Sequence, residues 1–176
     1  MVNDIQNNLI KKESIFGPDN YKPLPVVLSK AKGVWVWDVD ERKYLDMMSG
    51  YSAVSHGHAH PELLRVFHEQ SSKLSLTSRA FYTDTLGPYL ETITKISGFE
   101  MCLPMNSGAE AVETAIKSSR RWAYRTKKVA PGKAEIIVAE GNFHGRTTTI
   151  ISFSTDENSR HDFGPHTPGF VTVKYG

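Results

Sequence analysis

Two short stretches carry residue types whose spacing suits chemistry. The first is Asn106-Ser107-Gly108-Ala109-Glu110, followed by Ala111-Val112-Glu113-Thr114-Ala115-Ile116-Lys117. Ser107 with Glu110 three residues later forms a Ser-x-x-Glu capping box, which marks a helix start. Gly108 and Ala109 are small enough to let another group approach the backbone. Free N–H groups at such a start attract anions, aided by the helix dipole. The acids of the first turn also complement the dipole, so an ordinary capped helix fits the same spacing. The second stretch is Gly141-Asn142-Phe143-His144-Gly145-Arg146. There an aromatic ring can cover a flat heterocycle, and a guanidinium can grip a carboxylate with two hydrogen bonds. A core Phe and a surface Arg are the plain alternative.

Other motifs are weaker or missing. His56, His58 and His60 alternate, but Gly57 and Pro61 suggest a loop entering a helix. No Cys or carboxylate stands at a matching metal spacing. They read as loop or helix-capping histidines. The chain contains no Gly-x-Gly-x-x-Gly, no Walker A motif and no Gly-x-Ser-x-Gly elbow.

The elements that position the two stretches follow from pattern. Residues 3–16 suit a short helix or a loosely held arm, with Ile5, Leu9 and Ile10 as its apolar side. Pro18, Pro23 and Pro25 then impose an extended segment from Tyr21 to Leu28. Gly33 to Asp46 reads as a hairpin, two β-rich runs about a polar turn. Gly50 to His60 is a Gly/Ser/His-rich loop. Pro61 suits the first position of a helix, in which Leu63, Leu64, Phe67, Ser71 and Leu74 keep helical spacing. Thr77 to Thr83 is a loop. A helix spans about Leu86 to Ser97 and Gly98 ends it. Met101 to Met105 reads as a strand that feeds the capped helix. That helix places Val112, Ala115, Ile116, Ser119 and Ala123 inward and the pair Glu113 and Lys117 outward. Ala134 to Glu140 is a buried-type strand. Thr147 to Phe153 has strand propensity. Phe170 to Tyr175 is a last strand. Alternation of helix and strand implies an α/β domain with a mostly parallel sheet. Ligands of such sheets lie in loops beyond the strands' carboxyl ends, where both chemical stretches fall. A strand so close to Gly176 would leave an apolar sheet edge open, so the chain is expected to be the front part of a longer protein.

Composition narrows the function classes. The 176 residues are 39% hydrophobic and 23% charged, with net charge +2. No dense basic block points to nucleic acid or to a membrane surface. The cluster Arg120-Arg121 to Lys127-Lys128 falls at a helix end, where cations complement the dipole. The single cysteine, Cys102, excludes an internal disulfide and fits a reducing compartment. No secretory leader and no spanning apolar run is visible, so a cytoplasmic protein is expected.

The order of several pieces resembles the amino-terminal portion of the class III (subgroup II) pyridoxal-phosphate aminotransferases, most closely the ornithine-using branch. They are Asn20-Tyr21-Lys22-Pro23-Leu24-Pro25-Val26, Gly50-Tyr51-Ser52-Ala53-Val54, Gly57-His58-Ala59-His60-Pro61, Thr77-Ser78-Arg79-Ala80-Phe81-Tyr82, Asn106 to Lys117, and Gly141 to Thr147. The likeness continues through Gly164-Pro165 and Pro168-Gly169-Phe170. It implies the aspartate-aminotransferase fold (fold type I). Residues 1–50 would be an arm and hairpin belonging to the small domain, and 51–176 the first part of the large cofactor domain. It implies pyridoxal 5'-phosphate (PLP) as cofactor, with Ser107, Gly108 and Ala109 cradling its phosphate and Phe143 stacking on its ring. Arg146 would clamp a substrate carboxylate, and Tyr51 and Tyr21 would line the ornithine pocket. It further implies a homodimer and a helix, rather than a strand, after Arg146. The implied reaction is ping-pong transfer of the δ-amino group of ornithine to 2-oxoglutarate, giving glutamate semialdehyde and glutamate. Another class III activity, on acetylornithine or 4-aminobutyrate, and an inactive truncated product are the alternatives. The family's Schiff-base lysine, the acidic partner of the pyridine nitrogen and the Thr lent by the second subunit match nothing here. Lys117 is expected on an outer helix face and Lys174 lies at the extreme end, so no catalytic lysine is nominated.

Overall fold

The computed structural model describes residues 2–176, with side chains from residue 4 onward. The chain divides into two units, one ending at Tyr82 and the other running from Thr83 to Gly176.

In the first unit, helix α1 (Val2–Phe16) takes up the amino-terminal segment as a helix. The Gln6 side chain holds the Pro-rich segment: its amide donates to Pro25 O at 3.3 Å and its oxygen accepts from Val27 N–H at 3.3 Å. Strands β1 (Leu28–Lys32), β2 (Trp35–Asp38) and β3 (Lys43–Leu45) form an antiparallel meander in that order. The expected hairpin is thus β2–β3, and β1 extends it on the other side with a bulge between Leu28 and Lys30. Asp38 sets the β2–β3 turn. It is 1% exposed, and its Oδ1 accepts from the N–H groups of Asp40 and Arg42, both at 2.9 Å. Its Oδ2 accepts from the Tyr44 hydroxyl at 2.7 Å. A carboxylate shut away from water needs this full set of donors.

After β3 the chain makes one turn, α2 (Ser49–Ser52), in the left-handed region. Successive φ values at Ser49, Gly50, Tyr51 and Ser52 are 51°, 54°, 56° and 71°. For residues other than glycine this costs about 1–2 kcal/mol each. Helix α3 (Pro61–Lys73) follows with Pro at its first position.

The second unit begins with α4 (Leu86–Ser97), stopped by Gly98 at φ 73°. Residues 101–105 differ from expectation. They form no strand, and Met101 and Leu103 are 87% and 65% exposed. An apolar run becomes a strand only when a neighbour pairs with it, and no described residue does. Helix α5 (Gly108–Arg125) buries Ile116. Ala115 and Ser119, expected inward, are exposed, while Glu113, expected outward, is half-buried. Strand β4 (Ile136–Ala139) pairs in parallel with β5 (Phe170–Val173), Ile136 opposite Phe170 and Ala139 opposite Val173. β4 is buried on one face only, since Ile137 is 71% exposed. The β-branched run after Arg146 is one helical turn, α6 (Thr148–Ile151), as the resemblance implied. Thr147 caps it, its Oγ1 accepting Ile150 N–H at 3.2 Å. A one-turn helix α7 (Glu157–Arg160) precedes β5. The core of this unit is Ile116, Ile150 and Phe153, with Ala109, Val112, Ile136, Val138 and Phe170 against it. The rings of Phe153 and Phe170 lie 4.4 Å apart.

Candidate functional site

Ser107 caps α5 from an extended conformation, its Oγ accepting Glu110 N–H at 3.2 Å. Glu110 returns the contact, Oε2 accepting the N–H groups of Asn106 at 2.8 Å and Ser107 at 3.1 Å. The capping box is therefore complete. It consumes the donors of Asn106, Ser107 and Glu110, while the N–H groups of Gly108 and Ala109 meet no acceptor among the described residues. Ser107 and Gly108 are exposed. A Cβ added at Gly108 would meet nothing within 4 Å, so the approach to these two N–H groups is open.

The loop Gly141 to Arg146 leaves the carboxyl end of β4 and is anchored at its base. Gly141 N–H donates to Thr155 Oγ1 at 2.8 Å. The Asn142 amide donates to Ala139 O at 2.6 Å and to Phe153 O at 3.1 Å. His144 leans on Phe153, ring centroids 5.8 Å apart. The Phe143 ring between them is 74% exposed.

The structure brings the two stretches together at Gly145. Its φ is 129°, and a Cβ there would stand 3.0 Å from Ala109 Cβ and 3.2 Å from Ile150 Cδ1. Two residues later the Thr147 hydroxyl donates to Glu113 Oε1 on α5. The seat at the start of α5 and the loop bearing Phe143 thus share a wall. Arg146 is exposed, and its charge helps to hold the Asp156 carboxyl low, behind the larger effects of the Ser159 hydroxyl and Asn158 N–H.

Tyr21 and Tyr51 belong to the first unit, at 62% and 83% exposure. Tyr51 rides on the left-handed turn. Among the described residues no three His, Cys, Asp or Glu side chains are grouped to hold a metal. His60 occupies the N-cap position of α3 without a side-chain cap bond. His58 Nε2 instead meets Asp46 Oδ2 at 2.7 Å.

Sequence reasoning overlooked Asn142, Gly145, Glu113 with Thr147, and Asp46 with His58 as individual contributors. Gly145 is the one with a local signal, a second glycine in a short loop. The Glu113–Thr147 contact joins residues 34 apart in sequence, and no local pattern announces it.

The sequence profile of the family described as "Aminotransferase class-III" matches residues 16–176. The chain belongs to the class III aminotransferases. It is 56% identical over 170 residues to an ornithine aminotransferase of Brevibacillus brevis, covering 97% of this chain and 43% of that protein. An ornithine aminotransferase of Toxoplasma gondii, whose crystals grown with oxidised glutathione show PLP at partial occupancy in its active site, superposes with TM-score 0.95 at 39% identity. That match covers 97% of this chain and 40% of the other. An acetylornithine aminotransferase of Elizabethkingia anophelis superposes with TM-score 0.81 at 54% identity, over 97% of this chain and 41% of the other. The chain spans about two fifths of the length of these relatives.

The residues at the junction fit the cofactor that the family implies. Two unsatisfied N–H groups at a helix start suit a phosphate, the open face over Gly108 admits it, and an exposed ring stands in the adjoining loop. Among the described residues no helix is long and apolar enough to cross a membrane.

Proposed function

We propose that this chain supplies part of the active site of a PLP-dependent aminotransferase that moves the δ-amino group of ornithine to 2-oxoglutarate. The observation that carries the reading is the junction at Gly145, which sets the open N–H groups of Gly108 and Ala109 beside the Phe143 loop. The identity to ornithine aminotransferases supports the choice of donor.

In this reading Ser107 Oγ and the N–H groups of Gly108 and Ala109 hold the phosphate of the cofactor. Phe143 covers one face of the pyridine ring and excludes water from it. Arg146 orients a substrate carboxylate through paired hydrogen bonds. Tyr51 and Tyr21 contribute to the pocket of the amino donor. Bound PLP supplies the electron sink that amino-group transfer requires. The lysine that the family joins to the cofactor is assigned to no residue of this chain. Residues 1–50 are placed with the small domain and 51–176 with the large one, and the working enzyme as a homodimer.

A second reading, amino transfer from acetylornithine, is favoured by the 54% identity to the Elizabethkingia enzyme. Donor profiling of the enzyme containing this segment, with 2-oxoglutarate as acceptor, separates them. Ornithine is expected to give the highest kcat/KM. A higher value with acetylornithine or 4-aminobutyrate would overturn the proposal.

A further inference from the structure

The left-handed turn Ser49–Ser52 needs an explanation, because only Gly50 adopts its conformation without steric conflict. Strained backbone of this kind persists where its surroundings over-determine it. Here the surroundings include one carboxylate and one imidazole at the base of the turn. Asp46 Oδ1 accepts the N–H groups of Met48 and Ser49, both at 2.9 Å, just as the chain enters the turn. Asp46 Oδ2 meets His58 Nε2 at 2.7 Å. Both residues are also pinned through their backbones to the same β1–β2 corner. Asp46 N–H donates to Val34 O at 2.9 Å, and Gly33 and His58 exchange two N–H···O bonds of 2.8 Å. Gly57 permits this, since a Cβ there would stand 3.2 Å from Gly33 Cα and O.

The segment 47–57 is therefore a loop closed at its base by a side-chain pair, with Tyr51 at its outer turn. Within it Tyr51 N–H donates to Met48 O at 3.0 Å, Ala53 N–H to Gly50 O at 3.3 Å, Val54 N–H to Ser49 O at 3.1 Å, Gly57 N–H to Val54 O at 2.8 Å and the Ser55 hydroxyl to Ser52 O at 2.6 Å. The His58 contact, followed by the Ser49 and Met48 N–H groups, holds the Asp46 carboxyl below the usual carboxylate range. The charged acceptor that the turn needs is thus present at neutral pH.

We propose that Asp46 and His58 are positioning residues for the amino donor: their clamp holds the left-handed turn that presents Tyr51. The proposal rests on the reading of Tyr51 as part of the donor pocket. Neither residue touches the reacting atoms. Their effect reaches the donor through the backbone of 49–52.

The test is steady-state kinetics of the enzyme containing this segment, with limited proteolysis of residues 47–57 as a second readout. Asp46→Ala is expected to lower kcat/KM for ornithine at least tenfold, leaving PLP affinity and the KM for 2-oxoglutarate within twofold. Asp46→Asn, which keeps the Oδ1 acceptor, is expected to lose less. Adding Ser49→Gly and Ser52→Gly to Asp46→Ala is expected to recover at least threefold, because glycine holds positive φ without a clamp. A merely structural aspartate would show no such rescue. An unchanged donor kcat/KM and unchanged cleavage in both Asp46→Ala and His58→Phe would overturn the clamp. So would a loss spread equally over donor, acceptor and cofactor. Tyr51→Ala distinguishes the underlying reading: if it leaves ornithine kcat/KM intact, the pocket role of Tyr51 falls, and the donor role of the clamp with it.

Discussion

Gly145→Ala perturbs the contact on which the site depends. The added methyl would stand 3.0 Å from Ala109 Cβ and 3.2 Å from Ile150 Cδ1, where carbon atoms prefer about 3.5–4.0 Å. Ile150 is 1% exposed, so the added methyl presses on a buried side chain. Overpacking of this kind costs about 1–3 kcal/mol. A φ of 129° adds about 1–3 kcal/mol for a residue with a Cβ. Loop movement relieves part of both, so about 2–3 kcal/mol falls on the junction of α5 with the 141–146 loop. At about 1.4 kcal/mol per tenfold, this weakens PLP binding by about 30- to 150-fold. The assay is spectrophotometric titration of the apoenzyme with PLP, alongside thermal unfolding. Gly132→Ala is the control: its φ is 76°, but a Cβ there meets nothing within 4 Å. It is expected to cost stability without changing PLP affinity. Ala109→Gly, added to Gly145→Ala, removes the 3.0 Å contact and should recover part of the loss. PLP affinity within twofold of wild type in Gly145→Ala would refute the reasoning that the two stretches share a wall.

Three further outcomes are expected. Phe153→Ala removes a ring that is 3% exposed and lies 4.4 Å from Phe170, so denaturant unfolding should show a loss of about 3–5 kcal/mol; a loss below 1 kcal/mol would contradict the core assignment. Arg146→Ala should raise substrate KM at least tenfold with PLP affinity changed less than threefold, and equal loss of both would remove the clamp role. Burial pushes the Asp38 carboxyl up, but the Tyr44 hydroxyl and the N–H groups of Arg42 and Asp40 outweigh it and leave it low. Its contribution to stability is therefore present above the ordinary carboxylate range and is lost as pH falls through the folded value. Tyr44→Phe should move that acid loss to higher pH in a series of thermal midpoints, and an unchanged profile would argue against the hydroxyl's role.

What was legible in the sequence is what local chemistry decides. The capping box at Ser107 and Glu110 and Gly98 at the end of α4 satisfy backbone groups within four residues, and Pro61 at the first position of α3 lacks the N–H that would go unpaired there. Their elements fall where the residues indicate. Met101 to Met105 failed because strand formation depends on a partner elsewhere in the chain. Thr147 to Phe153 followed its threonine cap and the packing of Ile150 on Ile116, against β-branched propensity. Glu113 turned inward to meet Thr147, a partner no helical pattern reveals. The left-handed turn was hidden for a similar reason. Gly50 signals it weakly, while Ser49, Tyr51 and Ser52 are held there by Asp46, whose own partner His58 lies twelve residues on. The chemical stretches themselves were visible as residue types, but the contact that joins them runs through Gly145 and Ala109 in three dimensions.

In the proposed function the start of α5 holds the phosphate of the cofactor. The most direct measurement compares the affinity of the enzyme for PLP with its affinity for pyridoxal, which lacks the phosphate, in wild type and in Ser107→Ala. Ser107→Ala removes a hydroxyl at the seat and a helix cap worth about 1 kcal/mol. It is expected to lower PLP affinity at least tenfold and pyridoxal affinity less than twofold. Equal loss for both ligands, or no loss for PLP, would contradict that reading.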